Sequence, residues 1–235
     1  MNLCPNNALG PTSRQRGIFL DQAIEIAQAD QWRWWLAANC PETADTDFTF
    51  QRFAEGVNAD LADKLGNLVS RVLGLVADRC DGVVPSGPPT TDERALQGEL
   101  QKRLEALEGA HRAVEIRRAA DVARSVWDLA NAYVSSQAPW ALLKTNPERA
   151  ATVLGTAVGL VRASALTAYP FVPALASRIL SLLGEDEIPV WTTDPVLVLS
   201  LRHDLKVNRP APLVVKLDAD WVTSHTVQYA GTVET

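Results

Sequence analysis

Trp32-Arg33-Trp34-Trp35-Leu36-Ala37-Ala38-Asn39-Cys40-Pro41-Glu42-Thr43-Ala44-Asp45-Thr46-Asp47-Phe48 packs three tryptophans into four residues, then turns through Pro41 into an acidic, threonine-rich connector. Upstream, Ile24, Ala27, Trp32, Trp35 and Leu36 recur at helical spacing, which predicts a helix from about Asp21 to Ala38 that Pro41 ends. Residues 1–17 read as an irregular lead punctuated by Pro5, Gly10, Pro11 and Gly17. Downstream, Thr49 is an expected N-cap. Phe53, Val57, Leu61, Leu65, Leu68, Val72, Leu75 and Val76 form one apolar stripe of a long helix facing a core.

That helix runs out at Asp81-Gly82 and the loop Pro85-Ser86-Gly87-Pro88-Pro89. Thr90 and Glu93 have capping-box spacing and start the next helix, whose stripe is Leu96, Leu100, Leu104 and Leu107. After Gly109 the pattern resumes through Ile116, Val122, Val126, Leu129 and Tyr133 until Ala138-Pro139-Trp140 breaks it. Asn146-Pro147-Glu148 pairs an N-cap with proline at the first helical position. Residues 147–168 are so rich in Ala, Val and Leu that burial on most sides is expected. Pro170 and Pro173 lead into a last bundle helix ending near Gly184. Residues 185–235 read as more extended, with Val196-Leu197-Val198-Leu199 and Leu213-Val214-Val215 as strand-like runs and Asp218-Ala219-Asp220-Trp221 as the start of a short helix packing back. The fold class expected is all-α, an antiparallel helical bundle with an irregular C-terminal tail.

The chain has 235 residues, 47% hydrophobic and 21% charged, ordinary values for a folded protein. No stretch reaches the roughly 18–20 uninterrupted apolar residues of a membrane span, and Met1–Gly10 does not read as a secretory signal. Cys4, Cys40 and Cys80 are odd in number and far apart, which reads as free thiols in a reducing cytosol. His111, His203 and His225 have no carboxylate or cysteine at ligand spacing and are expected to be structural or surface residues. Asp60 and Asp63 read as helix-surface and inter-helix contacts, with no acid–base chemistry. A net charge of −6 argues against non-specific nucleic-acid binding but leaves room for recognition of a folded RNA through a local patch.

Four ordered blocks carry a family resemblance. They are Trp34-Trp35-Leu36 with Pro41–Phe48; Val57–Asp63 with Gly66–Arg71; Ala138-Pro139-Trp140 with Lys144-Thr145; and Asn146–Ala151. Together, over about residues 17–185, they resemble the anticodon-binding region of bacterial methionyl-tRNA synthetases. The resemblance implies a bundle of the class I anticodon-binding type over 21–185, a lead at 1–20 holding a remnant of the ATP-loop region, and a tail at 186–235. It also implies that Asn67, Arg71 and Trp140 contact the anticodon, with Pro139 aiming Trp140.

The physical reading agrees in kind. Reading an anticodon means stacking splayed bases on planar groups and hydrogen-bonding their edges. Asn67 and Arg71 are four residues apart on one helix face, and Trp140 follows a helix break that lets an indole leave the core. Trp32, Trp34 and Trp35 read instead as packing between the first helix and the bundle.

In the family, a Rossmann-type domain with a His-x-Gly-His-type motif activates methionine with ATP, and this sequence has no such motif. Thr12-Ser13-Arg14-Gln15-Arg16-Gly17-Ile18-Phe19 resembles the tail of the family's signature loop, but its first lysine position falls on Leu9, the preceding serine on Pro11, and Gln15 stands where glycine is common. No adenylation is therefore expected from this chain alone. Nor is a cofactor, since ATP and methionine belong to a complete family member. The expected partner is tRNA, above all the tRNA(Met) anticodon loop, in the cytoplasm, with no membrane and no DNA.

Three origins remain open: a free-standing paralogue, one part of a split synthetase, or a gene fragment. The competing reading is a protein-interaction module, or a trans-acting subunit completing a separate catalytic part. In that reading Trp32, Trp34, Trp35 and the tail are apolar surface seeking cover.

Overall fold

A computed structural model describes residues 18–42, 46–202 and 204–229. The signature-loop remnant at 12–17, Thr43-Ala44-Asp45 of the connector and His203 lie outside them. The described chain is helical, and its β structure is confined to isolated bridges such as Val83 with Lys206. The elements are α1 (Leu20–Ile26), α2 (Ala29–Ala38), α3 (Phe50–Val57), a π-helical segment (Asn58–Gly66), α4 (Asn67–Arg79), α5 (Thr91–Arg112), α6 (Ile116–Gln137), α7 (Pro139–Thr145), α8 (Pro147–Ala168), α9 (Pro173–Leu182), α10 (Pro195–Leu199) and α11 (Ala219–Gln228).

The capping signals work as their chemistry predicts. Thr49 Oγ accepts from the Arg52 amide at 3.1 Å, and Asn146 Oδ1 from the Arg149 amide at 3.1 Å. Glu93 closes its box by accepting the Thr90 amide at 2.9 Å. These contacts satisfy donors that the first turn of a helix leaves orphaned. Pro139, Pro147 and Pro173 each open a helix, where a missing N–H costs nothing.

The expected helix over Asp21–Ala38 is two helices. Ala27 is extended (φ −150°, ψ 158°), and the Gln28 amide is taken by Gln31 Oε1 at 3.0 Å, which starts α2 afresh. The bend lets the Trp32 indole N–H reach back to the Ala23 carbonyl at 2.6 Å. The strand-like run Val196–Leu199 is also helical. Pro195 and the Asp194 carboxylate, which accepts the Val196 amide at 2.8 Å, set its first turn. Leu213–Val215 forms no regular element. A short apolar run does not by itself distinguish strand from helix.

Helix α8 forms the centre, packing against α4, α6, α7, α9 and α10. By length and composition it is apolar enough to cross a membrane, but 83% of its apolar window is buried by the bundle, so it is a core helix. Two glycines let irregular chain cross it closely. A Cβ on Gly155 would meet the Pro85 carbonyl at 2.6 Å, and one on Gly159 the Leu199 carbonyl at 2.7 Å.

Helix α2, which carries the tryptophans, is a hub. Asp30 accepts the Leu175 amide at 2.7 Å, capping α9 from another helix, and Arg33 holds the carbonyls of Pro170 and Phe171, each at 2.9 Å. Trp32, Trp34 and Trp35 are all buried. Trp34 packs on Trp127 at 4.7 Å between centroids, while Trp32 and Trp35 pack on Phe48 and Phe53.

The far side of that aromatic layer is closed by α11. Trp221 stacks on Phe53 at 5.8 Å and donates its indole N–H to the Ile26 carbonyl at 3.0 Å. Asp218 caps α11 through the Trp221 amide at 2.8 Å, as the sequence predicts. Asn58 pairs with both the amide and the carbonyl of Leu217, at 2.9 and 2.8 Å, fixing the tail to the π segment. The tryptophan run is therefore covered by its own chain. It is not the exposed surface that the interaction reading expects.

Candidate nucleic-acid interface

The π segment sets the register of the face on which Asn67 and Arg71 stand. The Asn67 amide closes a wide turn onto the Ala62 carbonyl, after which α4 proceeds with ordinary geometry. Such insertions rotate the following turn relative to the preceding one. Apolar side chains from Phe53 to Val76 still point inward, and Asn67 is exposed while Leu68 beside it is buried.

Arg71 is half-buried and tied to α6. Its guanidinium donates to Asn131 Oδ1 at 3.2 Å and to Ser135 Oγ at 3.5 Å, and its Nε is buried without a partner. Burial lowers its pKa from the usual guanidinium value, though a guanidinium stays charged at neutral pH. No carboxylate neutralises it among the described residues. Lys64, about two turns earlier, is engaged by Asp128 at 3.0 Å and Asp60 at 3.8 Å.

Sequence reasoning missed Asn131. Its Nδ2 donates to the carbonyls of Lys64, inside the π segment, and of Trp127, while its Oδ1 accepts from Arg71. One amide thus connects α6, the π segment and Arg71. The available signal is an asparagine inside a helix, where its propensity is poor unless the side chain finds backbone partners.

Arg71 meets α6 in its last two turns, and α6 leads directly to the other expected residues. Ala138 takes a left-handed conformation (φ 43°, ψ 59°) that ends α6 and begins α7. Pro139 is buried, and Trp140 is 44% exposed, the most exposed of the seven tryptophans. Pro139 anchors while Trp140 projects. Its ring makes no aromatic or cation–π contact among the described residues. Arg71 on α4 is thus tied to the end of α6 that runs into Trp140 of α7, with Asn67 one turn before Arg71.

Asp60, Asp63 and His111 make structural contacts. Asp60, expected as a helix-surface or inter-helix residue, is the latter: it accepts the Trp34 indole N–H at 3.1 Å and Arg124 Nε at 2.9 Å. Asp63 pairs with Lys216 of the tail at 2.6 Å. His111 stacks on Phe171, and burial lowers its pKa. No group of three or more His, Cys, Asp or Glu among the described residues is arranged to hold a metal ion.

The described fold is an all-α bundle. Residues 83–234 match the family model described as the anticodon binding domain of methionyl tRNA ligase, and residues 8–73 match that of class I tRNA synthetases (M). The chain belongs to the methionyl-tRNA ligase family and comprises its anticodon-binding domain. It is 40% identical over 223 residues to the methionine–tRNA ligase of a Caulobacter species, covering 94% of this chain and 39% of that protein. It is 43% identical over 189 residues to that of Cereibacter sphaeroides, covering 80% and 33%.

The fold is similar to that of Mycobacterium tuberculosis methionyl-tRNA synthetase in complex with methionyl-adenylate. That match has a TM-score of 0.74 and 27% identity, covering 86% of this chain and 40% of that one. The chain therefore spans about one third to two fifths of the length of these proteins. Asn67 and Arg71 fall in the 8–73 match to class I tRNA synthetases (M), Pro139 and Trp140 in the 83–234 match to the anticodon binding domain.

Proposed function

We propose that this chain binds tRNA(Met) by its anticodon loop, with Trp140 stacking a base, Asn67 and Arg71 addressing base edges, and Pro139 aiming the indole. The observation that carries this reading is the exposed Trp140 indole on a buried proline anchor, next to the turns of α6 that hold Arg71. Residues 21–185 are the binding body, 186–235 the tail that seals it, and the cytoplasm its place of work.

With a net charge of −6 and Lys64 already paired, affinity rests on stacking and edge contacts more than on phosphate neutralisation. Base stacking on an aromatic side chain contributes about 1–3 kcal/mol, so Trp140→Ala weakens binding of a labelled tRNA(Met) anticodon stem-loop by about 5- to 150-fold in a fluorescence titration. An anticodon-swapped stem-loop is insensitive to the substitution. Equal binding of initiator, elongator and swapped tRNAs at one salt concentration sinks the reading.

A second reading, a subunit that completes a separate catalytic part, is favoured by one observation. Helix α1 turns Leu20 (80% exposed) and Ile24 (57% exposed) outward. Mixing the chain with a methionyl-tRNA synthetase catalytic fragment then raises tRNA charging, and Leu20→Lys abolishes the gain. No gain with the unaltered chain rejects it.

A further inference from the structure

Beneath the corner that carries Trp140 lies a buried polar cluster that the anticodon reading does not use. Glu93, in the first turn of α5, is 1% exposed. Its Oε1 accepts the Tyr133 hydroxyl at 2.5 Å; its Oε2 accepts Arg149 Nη1 at 2.7 Å and the Thr90 amide and hydroxyl at 2.9 and 2.6 Å. Arg149 also donates to Gln137 Oε1 at 2.7 Å, and Asp92 lies 3.4 Å from both Arg149 and Gln137. Tyr133 and Gln137 occupy the last turns of α6, and Arg149 the first turn of α8.

Helix α7, seven residues long, is suspended between those two ends. It enters through Ala138, a non-glycine residue at φ 43°, a conformation that persists only where the surroundings over-determine it. It leaves through Asn146, whose amide closes onto the Leu142 carbonyl at 2.7 Å. Pro139 is the one fully buried residue of α7, and Leu142 and Leu143 pack partly against the core, so the helix lies mainly along α8. Its orientation is inherited from the separation of α6 and α8 at this corner. A capping box needs one oxygen of its glutamate, whereas this one uses both, and its second set of partners lies 40 and 56 residues away.

We propose that Glu93 is the positioning residue of the Trp140 platform: one buried carboxylate joins the end of α6 to the start of α8 and thereby fixes the short helix from which the indole projects. It touches no RNA. This rests on the anticodon reading for its purpose, but not for its geometry.

The test uses the full chain labelled with fluorotryptophan, the Trp140 resonance being assigned by its loss in Trp140→Phe. Glu93→Gln shifts or splits the Trp140 fluorine resonance while that of Trp191, the other exposed indole, stays in place. Neighbouring groups that act through one another are non-additive. Glu93→Gln therefore weakens anticodon stem-loop binding about tenfold in the parent chain but less than about twofold in Trp140→Ala.

Gln137→Ala, which removes only the outer, half-buried link, gives the same pattern with a smaller effect and serves if Glu93→Gln does not fold. An unmoved Trp140 resonance in a folded variant overturns the proposal, as does equal weakening in both backgrounds. If Trp140→Ala itself leaves binding unchanged, the anticodon reading fails, and the fluorine resonance alone decides the role of Glu93.

Discussion

Trp34→Ala lowers the stability of the fold by about 3–5 kcal/mol, the range for truncating a large buried aromatic residue. Trp34 is 1% exposed and touches α6, the π segment and the turn between α8 and α9 at once. Its ring lies on Trp127 of α6 at 4.7 Å and meets Phe171 edge-on at 5.8 Å, and the Arg124 guanidinium lies over it at 5.5 Å. Its indole N–H donates to Asp60 at 3.1 Å. Truncation opens a cavity, removes a cation–π partner and takes one donor from a buried carboxylate.

Asp60 keeps Arg124 at 2.9 Å, so the carboxylate is not stranded. Trp34→Phe restores most of the volume but not the donor and costs about 1.5–3 kcal/mol, the value of a hydrogen bond to a charged acceptor. Since whole domains are stable by only about 5–15 kcal/mol, the alanine variant loses a large share of its margin. Urea titration followed by far-ultraviolet circular dichroism measures both. A midpoint for Trp34→Ala within error of the parent contradicts the placement of α2 as the hub.

Features that a few neighbouring residues determine are legible in the sequence. The caps at Thr49, Thr90 and Asn146, the proline starts and the buried character of α8 all follow from local chemistry and periodicity, and the structure contains them. The features that the sequence hides are decided by partners far along the chain. The break at Ala27-Gln28 depends on Trp32 folding back onto Ala23 and on Trp221, almost two hundred residues later, taking the Ile26 carbonyl. The helical turn at Pro195–Leu199 is held from α8, where Arg162 donates to the carbonyls of Leu197 and Val198 at 3.0 and 2.8 Å. A run of four apolar residues carries no sign of that donor.

The candidate site divides in the same way. Pro139-Trp140 is visible because a proline after a long helix forces a corner, and a corner exposes the next side chain along. Asn67 and Arg71 are visible as a pair on one face. The π segment that sets the angle of that face is not, because its residues, Asn58–Gly66, keep an apolar spacing that an α-helix would share. Asn131 and Glu93, which brace the two halves of the site, each look like ordinary helix residues until their partners are known.

Glu93 also governs the acid limit of stability. Burial pushes its carboxyl pKa up, but hydrogen bonds from Arg149, Thr90 and Tyr133 outweigh that and hold it at about 2, against an ordinary 4.5. The Tyr133 hydroxyl, buried and bonded to this carboxylate, is pushed above its ordinary value, so it remains a donor. The native state thus binds a proton at Glu93 less readily than the unfolded chain does. The resulting stabilisation is fully present above about pH 4.5 and is lost as pH falls toward about 2. A displacement of this size corresponds to about 3 kcal/mol.

Glu93→Gln removes the titrating group. It lowers stability by about 3 kcal/mol at pH 7 and flattens the acid limb between about pH 4.5 and 2, where the parent and variant curves converge. Glu99 is the control. Its pairs with Lys102 and Arg103 lie on the open face of α5, where water and salt screen them, so Glu99→Gln leaves the limb nearly unchanged. Chemical denaturation at a series of pH values gives the slopes. Parallel curves for Glu93→Gln and the parent across that window mean that the carboxylate is not held as the structure shows, and that the corner beneath Trp140 is braced by something else.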